Sequence, residues 1–289
     1  AYGALDRLTA NRMPQKNGSI TLTHMLNRRG RIELETTIVR MTDDSFYLVC
    51  AAFFEQRLLD HLDQHLDGED VQITSLSAGW SALSLNGPRA RDVLGATTDA
   101  ALDNASFRWL SAQQITIADH DVWALRMSYA GELGWELHMP NAALQNVYEA
   151  LWQAGEPYGI EDYGSFAMNV MRMEKGFKGA GELTNEVTLA EADVLRFARR
   201  DKDYLGRDST FNDDLPWVCA YLEIETDGDV DGHGGEAVMH EGAVVGSTAS
   251  VAYGHSVGKI LAFAYIKPAA AKYGTALEVI IHGEPRAAR

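Results

Sequence analysis

One stretch of the chain, residues 126–140, places an aromatic ring and a carboxylate in a pattern that could bind a flat heterocycle. Tyr129 lies before, and Glu136 after, a turn that Gly131 and Gly134 flank. A tyrosine ring can stack on a planar ring system, and a carboxylate can accept hydrogen bonds from two adjacent N–H donors. Pteridine and guanine are ring systems of this kind. Tyr129 and Glu136 are therefore candidate ligand-binding residues.

The segments on either side of this turn should bring the two side chains together. Residues 122–125 have the pattern of a buried strand end, and residues 135–139 alternate as a second strand. A hairpin of these strands would set Tyr129 and Glu136 close in space. The alternative is a surface hairpin in which the tyrosine packs and the glutamate is solvated. Spacing alone favours that alternative, because most such residues are structural or exposed.

The composition narrows the class of protein and of partner. The 289 residues are 46% hydrophobic and 23% charged, which is typical of a soluble globular chain with one large or two medium domains. The formal net charge of −16 argues against nucleic acid or an anionic membrane as a partner, although a local cluster of basic residues could still bind a small anion. Neither a membrane-spanning apolar run nor a signal-peptide pattern is visible, so we expect a cytoplasmic location.

The sequence gives no pattern for a metal or dinucleotide site. Cys50 and Cys219 both lie in apolar, strand-like runs and are interpreted as small core residues. No Gly-x-Gly-x-x-Gly motif follows a strand. Residues 227–235 resemble a calcium loop but lack the closing glutamate, so we predict an exposed turn there. Three histidines lack metal-ligand spacing and are interpreted as structural or surface residues: His24, His138 and His255.

The order of strand and helix patterns predicts an α+β fold with mostly antiparallel sheets, followed by a small antiparallel C-terminal β-barrel. We place the domain boundary so that residues 1–212 form the first domain and residues 213–289 form the barrel. The chain begins within a helical pattern, and we expect that an N-terminal portion of the first domain is missing. Among the predicted strands are three that the structure tests below: Phe46–Phe54, Val71–Ser77 and Phe107–Leu110.

Motifs along the whole chain resemble those of one known family. The stretch from Tyr129 to Glu136 is similar to Tyr-x-Gly-Glu-x-Gly-aromatic-Glu, and the stretch from Leu26 to Glu35 to Leu-Asn-x-x-Gly-Gly-x-x-x-Asp. Both motifs belong to the glycine-cleavage T-protein (aminomethyltransferase) family, which includes the folate-binding C-terminal halves of dimethylglycine and sarcosine dehydrogenases. Further similarities follow in the family's order: Asn86–Arg91, Arg172–Gly176, Tyr204–Arg207 and Val245–Thr248.

The resemblance implies a tetrahydrofolate site and a role for each matching residue. Glu136 would hold the N–H edge of the pteridine, and Tyr129 would line the pocket. Arg172 would pair with a carboxylate or steer the anionic folate tail, and a structural ion pair with Glu174 or Glu182 is an equal alternative. Glu35 occupies the position of the family's catalytic Asp and would assist attack by the folate nitrogens. Three departures from the family pattern are Glu in place of that Asp, Arg31 in place of the second turn glycine, and Ala180 in place of a frequent aromatic.

Three functions are compatible with this resemblance. The first is capture of the methylene unit from oxidative N-demethylation of a methylated glycine, giving 5,10-methylenetetrahydrofolate. FAD would then be present only if a dehydrogenase module, covalent or associated, exists outside this chain. The second is a folate-dependent S- or O-demethylase that gives 5-methyltetrahydrofolate from a small-molecule methyl donor. The third is a non-catalytic binding or assembly module on the same fold.

Overall fold

The computed structural model, which describes residues 1–226 and 231–289, begins with a small antiparallel sheet covered by two helices. Strands β1 (Ile20–Leu26), β2 (Ile32–Arg40) and β3 (Phe46–Val49) pair in that order. Helix α1 (Tyr2–Leu8) and helix α2 (Glu55–Leu66) cover one face, because their apolar side chains pack with those of the sheet. This core contains, among others, Leu5, Leu8, Met25, Leu34, Ile38, Leu58 and Leu62.

A second antiparallel sheet contains the hairpin that the sequence singled out. Its strands run in the order β4-β7-β6-β5, and helices α3 and α4 pack against it around the buried Trp135. The predicted pairing of the two strands around residues 126–133 is present, since Leu125 lies opposite Glu136 in the register. The bounds are β4 (Trp80–Asn86), α3 (Ala90–Gly95), β5 (Ala112–Ile117), β6 (His120–Leu125), β7 (Gly134–Pro140) and α4 (Leu144–Gly155).

Helix α5 (Ser165–Glu174) links the sheets to a C-terminal barrel. Met173 of this helix is fully buried with Cys219, Leu261 and Phe263 of the barrel. In the described residues, six strands close the barrel in the order β10-β11-β8-β13-β12-β9. They are β8 (Val218–Ile224), β9 (Ala237–His240), β10 (Ala243–Gly254), β11 (Lys259–Ile266), β12 (Leu277–Ile281) and β13 (Glu284–Ala288). The prediction of antiparallel sheets with helices followed by a small β-barrel is confirmed.

Several local predictions were wrong because a strand needs a pairing partner. The strand expected over Phe46–Phe54 ends at Val49, and a 3-10 turn at Ala52–Phe54 leads into α2. Residues 107–110 contain no strand, and neither do residues 71–77. In the latter segment, the hydroxyls of Ser75 and Ser77 donate to the Glu55 carboxylate at the start of α2. Strand β13 was missed, since its pattern is weak and it forms by pairing with β12 and β8.

The structure also bears on the two cysteines, on membrane-spanning helices and on the turn predicted over residues 227–235. Cys219 is buried and Cys50 half-buried, and neither takes part in a disulfide. No helix within residues 1–226 and 231–289 has the length and apolar character needed to cross a membrane. The turn predicted over residues 227–235 lies partly outside the described residues, because residues 227–230 are not among them.

Candidate functional site

The hairpin between β1 and β2 sets the position of Glu35. Asn27 closes the turn, since its side-chain oxygen accepts from the backbone N–H groups of Arg29 and Arg31 at 2.9 and 3.2 Å. Gly30 has φ +71°, and a Cβ there would meet Ser209 at 2.8 Å. Only glycine therefore fits this turn without displacing the neighbouring chain. Arg31 takes a structural role, because its guanidinium donates to the backbone carbonyl of Glu186.

A buried histidine lies directly beside the Glu35 carboxylate. His24 is opposite Glu35 in the β1–β2 register, and its Nε2 is 3.2 Å from Oε2 of Glu35. The His24 side chain is fully buried, whereas Glu35 keeps 30% of its side chain exposed. The ring also packs on Phe197, with centroids 5.7 Å apart. Among the described residues, neither ring nitrogen has a partner of good hydrogen-bond geometry, although Nε2 lies within ion-pair distance of Glu35.

Tyr129 lies on the loop after β6 and faces a group of charged residues. Its hydroxyl donates to the backbone carbonyl of Lys178 at 3.4 Å. Burial raises the pKa of Tyr129 to about 12; the positive charge of Arg172 opposes that rise, and the negative charges of Glu35 and Glu182 add to it. The phenol therefore stays protonated near neutral pH and can act as a hydrogen-bond donor.

Arg172, on α5, uses its donors on protein groups. Its Nη1 contacts Oε2 of Glu182 at 2.8 Å and the backbone carbonyl of Phe177 at 2.9 Å. Its Nε donates to Asn169 and its Nη2 to Ser250 of the barrel, each at 2.9 Å. The Arg172 and Glu182 side chains are 4% and 0% exposed. The sequence left open whether Arg172 binds the folate or forms a structural ion pair with Glu174 or Glu182. The structure contains the ion pair with Glu182.

Gly179 provides the space that Tyr129 occupies next to this ion pair. A Cβ at Gly179 would overlap the Tyr129 hydroxyl oxygen and would lie 3.8 Å from Cζ of Arg172. The backbone N–H of Gly179 also donates to Oε2 of Glu182 at 2.7 Å. The loop after α5 thus joins Tyr129, Arg172 and Glu182 into one cluster. The other oxygen of Glu182, Oε1, is buried without a hydrogen-bond partner among the described residues.

Glu136, on β7, belongs to a second network that joins the two sheets. Its Oε2 lies 3.3 Å from Nε2 of the buried His138, and Nδ1 of that ring lies 3.0 Å from the hydroxyl of Tyr47 on β3. A carboxylate only accepts, so Nε2–H donates to Glu136 and Nδ1 is left to accept from Tyr47. Burial, and then the charge of Glu136, raises the pKa of Tyr47. Glu136 keeps 21% of its side chain exposed, and among the described residues its Oε1 has no hydrogen-bond partner.

The structure brings some of the four candidate residues together and leaves one apart. Tyr129 and Arg172 meet at Gly179, and the charge of Glu35 acts on Tyr129. No interaction among the described residues joins Glu136 to Tyr129, although both flank the same turn. Sequence reasoning missed four residues that surround the candidates. Tyr47 and Gly179 were not considered, and His24 and His138 were interpreted as structural or surface residues. The sequence signal for His138 was its position two residues after Glu136, on the same face of the strand.

The described part of the chain does not offer a metal site. Within it, no group of three or more His, Cys, Asp or Glu side chains comes together in a way that could hold an ion. The residues around Glu35, Tyr129 and Glu136 offer hydrogen bonding, charge stabilisation and proton transfer by carboxylates, imidazoles and a phenol.

Comparison with known proteins gives matches over almost the whole chain. Residues 1–202 match the family model described as the GCVT N-terminal domain, and residues 218–289 match the glycine cleavage T-protein C-terminal barrel domain. Two dehydrogenases of Mus musculus are similar in sequence. Mitochondrial dimethylglycine dehydrogenase is 34% identical over 97% of this chain, and mitochondrial sarcosine dehydrogenase is 31% identical over 92%. The chain spans about a third of their length, 33% and 31% respectively.

Two shorter relatives align over most of their own length as well. The aminomethyltransferase of Thermoanaerobacter sp. (strain X514) is 26% identical, with 99% of this chain and 78% of that protein covered. The crystal structure of glycine cleavage system aminomethyltransferase T from Bartonella henselae superposes with a TM-score of 0.88 at 21% identity, covering 99% of this chain and 79% of that one. This structural likeness establishes the fold.

Proposed function

The chain belongs to the glycine cleavage T-protein family, and on this premise we propose that it transfers one-carbon units to tetrahydrofolate. The specific reaction that we propose is capture of the methylene unit released by oxidative N-demethylation of a methylated glycine, as 5,10-methylenetetrahydrofolate. The similarity to dimethylglycine and sarcosine dehydrogenases supports this choice of donor. A flavin would belong to a dehydrogenase module outside residues 1–289.

The observation that carries the proposal is the state of the Glu136 carboxylate. One oxygen is held by His138, which Tyr47 supports in turn, and the other has no hydrogen-bond partner in the described chain. Such a carboxylate is oriented in advance to accept from the N–H edge of a pteridine. The buried hydroxyl of Ser128, next to Tyr129, also lacks a partner among the described residues, which fits a polar ligand on this side.

In the proposed reaction, bound tetrahydrofolate supplies two nitrogen atoms that accept the one-carbon unit. Glu35, as in the family motif, takes the proton that a nitrogen loses or stabilises the positive charge that develops on it. The fully buried His24 lies beside this carboxylate, with 3.2 Å between its Nε2 and Oε2 of Glu35. Tyr129 lines the pocket as a protonated phenol. Because the described donors of Arg172 point to protein groups, Arg172 contributes by holding the loop that carries Gly179.

We propose the same division of the chain as the sequence suggested, with residues 1–212 as the folate-binding domain and residues 213–289 as the barrel. The family models support it, because they end and begin at residues 202 and 218, on either side of that boundary. Partners would be the folate, the small-molecule donor and a dehydrogenase module. A cytoplasmic location remains a prediction.

Calorimetric titration with tetrahydrofolate under anaerobic conditions tests the proposal. We expect saturable one-to-one binding, and Glu136→Gln should weaken it by about 1–3 kcal/mol, as for loss of a charge-assisted hydrogen bond. Glu132→Gln is the matched control, because Glu132 belongs to the same turn but pairs with Lys175 at the surface at 3.0 Å. Equal affinity of the Glu136→Gln protein and the unaltered chain would remove Glu136 from the folate site.

The reaction product separates the proposed activity from the other folate chemistry. With an N-methylglycine donor and a dehydrogenase supplied, the expected product is 5,10-methylenetetrahydrofolate. Formation of 5-methyltetrahydrofolate from a sulfonium or aryl ether donor, without a dehydrogenase, would contradict the proposal and favour a demethylase. Binding without turnover under both conditions would favour a non-catalytic module.

A further inference from the structure

An open surface cavity lies between the β1–β2 hairpin and helix α2, and it is not part of the site described above. Its volume is about 550 Å³. Three guanidinium-bearing residues line it, two from the hairpin turn and one from the first turn of α2: Arg28, Arg29 and Arg57. The chain has 41 acidic and 25 basic residues and is negatively charged as a whole. Three arginines on one cavity are therefore a local concentration of positive charge on an acidic protein.

The carboxylates at this cavity already have partners, whereas two of the arginines do not. Glu33 accepts from Nδ2 of Asn27 at 2.9 Å, and Asp60 accepts from Nε2 of Gln56 at 2.7 Å. Across the described residues, no hydrogen bond or ion pair engages the side chain of Arg28 or of Arg29. Arg57 makes one long contact of 3.4 Å to the Glu33 carbonyl and packs over Phe54. Arg28 and Arg29 therefore keep cationic donors free for a ligand, while the second oxygen of each carboxylate also has no partner among the described residues.

A buried imidazole forms part of the same cavity wall. His61 is 7% exposed, and its Nε2 is buried without a hydrogen-bond partner in the described chain. Burial, and then the neighbouring His65, lower the pKa of His61 to about 4, so the ring is neutral near neutral pH. Its ring lies 4.7 Å from that of His65, which also lines the cavity. The two imidazole rings therefore form part of the cavity wall beside the arginines.

Exposed arginines alone are usually only solvated, and that is the alternative to a binding site. Two observations together argue against it here: arginines from two different elements line one concave site, and the side chains of Arg28 and Arg29 have no protein partner there among the described residues. Planar guanidinium groups match the oxygen geometry of carboxylates and phosphates and bind them with paired hydrogen bonds. With two carboxylates nearby, a ligand needs more than one negative charge to be attracted strongly.

We propose that this cavity binds a small oxyanion with two or more negative charges, with Arg28, Arg29 and Arg57 as its donors and His61 at its wall. The site is additional to the proposed folate site and requires neither folate nor the one-carbon donor. Phosphate groups and clustered carboxylates share this chemistry, and the probes below separate them.

The test is titration of the chain, in low-salt buffer without competing anions, with inorganic phosphate and separately with citrate. Calorimetry should give saturable one-to-one binding of at least one probe. Arg28→Gln and Arg57→Gln should each weaken it by about tenfold or more, as for loss of a charge-assisted contact. The control is Arg108→Gln, an exposed arginine outside the cavity whose side chain has no partner among the described residues; its affinity should equal that of the unaltered chain.

Imidazole signals in nuclear magnetic resonance spectra provide a second readout that does not depend on a variant folding. The expected result is a saturable shift of the His61 and His65 signals, with the exposed His255 unaffected. Binding of phosphate alone would identify a phosphate-type ligand, and binding of citrate alone a polycarboxylate; either supports the site. The proposal is overturned if neither probe binds at millimolar concentration, or if Arg108→Gln weakens binding as much as Arg28→Gln.

Discussion

Each of the two candidate carboxylates lies beside a buried histidine, and the two histidines differ in their position relative to the carboxylate. His24 reaches Glu35 from the neighbouring strand, whereas His138 reaches Glu136 along the same strand from two residues away. The hydrogen bond from His138 restricts the rotamers of the partly exposed Glu136, and such restriction lowers the entropic cost of ordering this side chain on a ligand. Histidines that had been interpreted as structural thus lie next to the residues proposed to act.

Glu35→Gln should spare tetrahydrofolate binding and slow one-carbon transfer by about 100-fold or more, because an amide cannot accept the proton in that step. Single-turnover measurement of methylene transfer, with calorimetric affinity measured in parallel, checks this. Glu186→Gln is the control, since Glu186 is an exposed carboxylate whose side chain is not part of the site. Unchanged turnover would show that Glu35 is not the catalytic carboxylate.

Arg172→Met should destabilise the protein by about 3–5 kcal/mol, because it leaves the fully buried Glu182 carboxylate without its cation. Urea unfolding measures the change. Lys175→Met is the matched control, since the exposed Lys175–Glu132 pair contributes at most about 1 kcal/mol. A similar loss of unfolding free energy in both variants would mean that the buried ion pair stabilises the protein no more than the exposed pair does.

At the scale of elements, the loop after α5 connects the candidate residues. The loop begins at Lys175, where the helix ends. Gly179 of the loop lies against the Tyr129 side chain, and Glu182 accepts a hydrogen bond from Arg172. The loop lacks regular structure, so its shape depends on these side-chain contacts and on the small residues that permit close approach. A steric change in the loop should therefore be transmitted to Tyr129.

Gly179→Ala tests that transmission. The added methyl group overlaps the Tyr129 hydroxyl oxygen but would lie 3.5 Å from Cζ of the same ring. We expect a loss of about 1–3 kcal/mol in unfolding free energy, as for overpacking, together with weaker folate binding. In a Tyr129→Phe background, which removes the overlapping oxygen, the same substitution should cost clearly less. Gly79→Ala is the control, because a Cβ there meets its nearest atom at 3.9 Å. Equal costs in both backgrounds would contradict the steric account.

At the scale of the whole molecule, two strands of the barrel form hydrogen bonds with Arg172 and with the loop after α5. Ser250 of β10 accepts from Arg172, and the hydroxyl of Tyr265 on β11 donates to the backbone carbonyl of Glu182 at 2.6 Å. Burial raises the pKa of Tyr265. The barrel therefore contributes to the geometry of the proposed folate site through the loop, although none of the four candidate residues belongs to it.

Tyr265→Phe should lower the unfolding free energy by about 1 kcal/mol and weaken folate binding, because the loop loses one anchoring hydrogen bond. Urea unfolding and calorimetric titration provide the two measurements. Tyr273→Phe is the control, since that side chain is fully exposed on the barrel. A loss of stability with unchanged folate affinity would mean that the barrel stabilises the fold without shaping the site.

The sequence by itself determined the family, the fold class and the main elements. Alternation and helical periodicity depend on local chemistry, and the β6–β7 pairing and the bounds of α2 follow from them. The same local patterns failed at residues 71–77 and at β13, where the presence or absence of a pairing strand decides the outcome.

Only the tertiary structure decided which candidate residues meet. Tyr129 and Gly179 are fifty positions apart, and Arg172 and Ser250 seventy-eight, so no local pattern could join them. The structure also decided that Arg172 pairs with Glu182 in the interior, and that Glu136 lies in the network of Tyr47 and His138. Side-chain partners depend on burial and on contacts distant in sequence, because a charge removed from water must find a partner wherever the fold provides one.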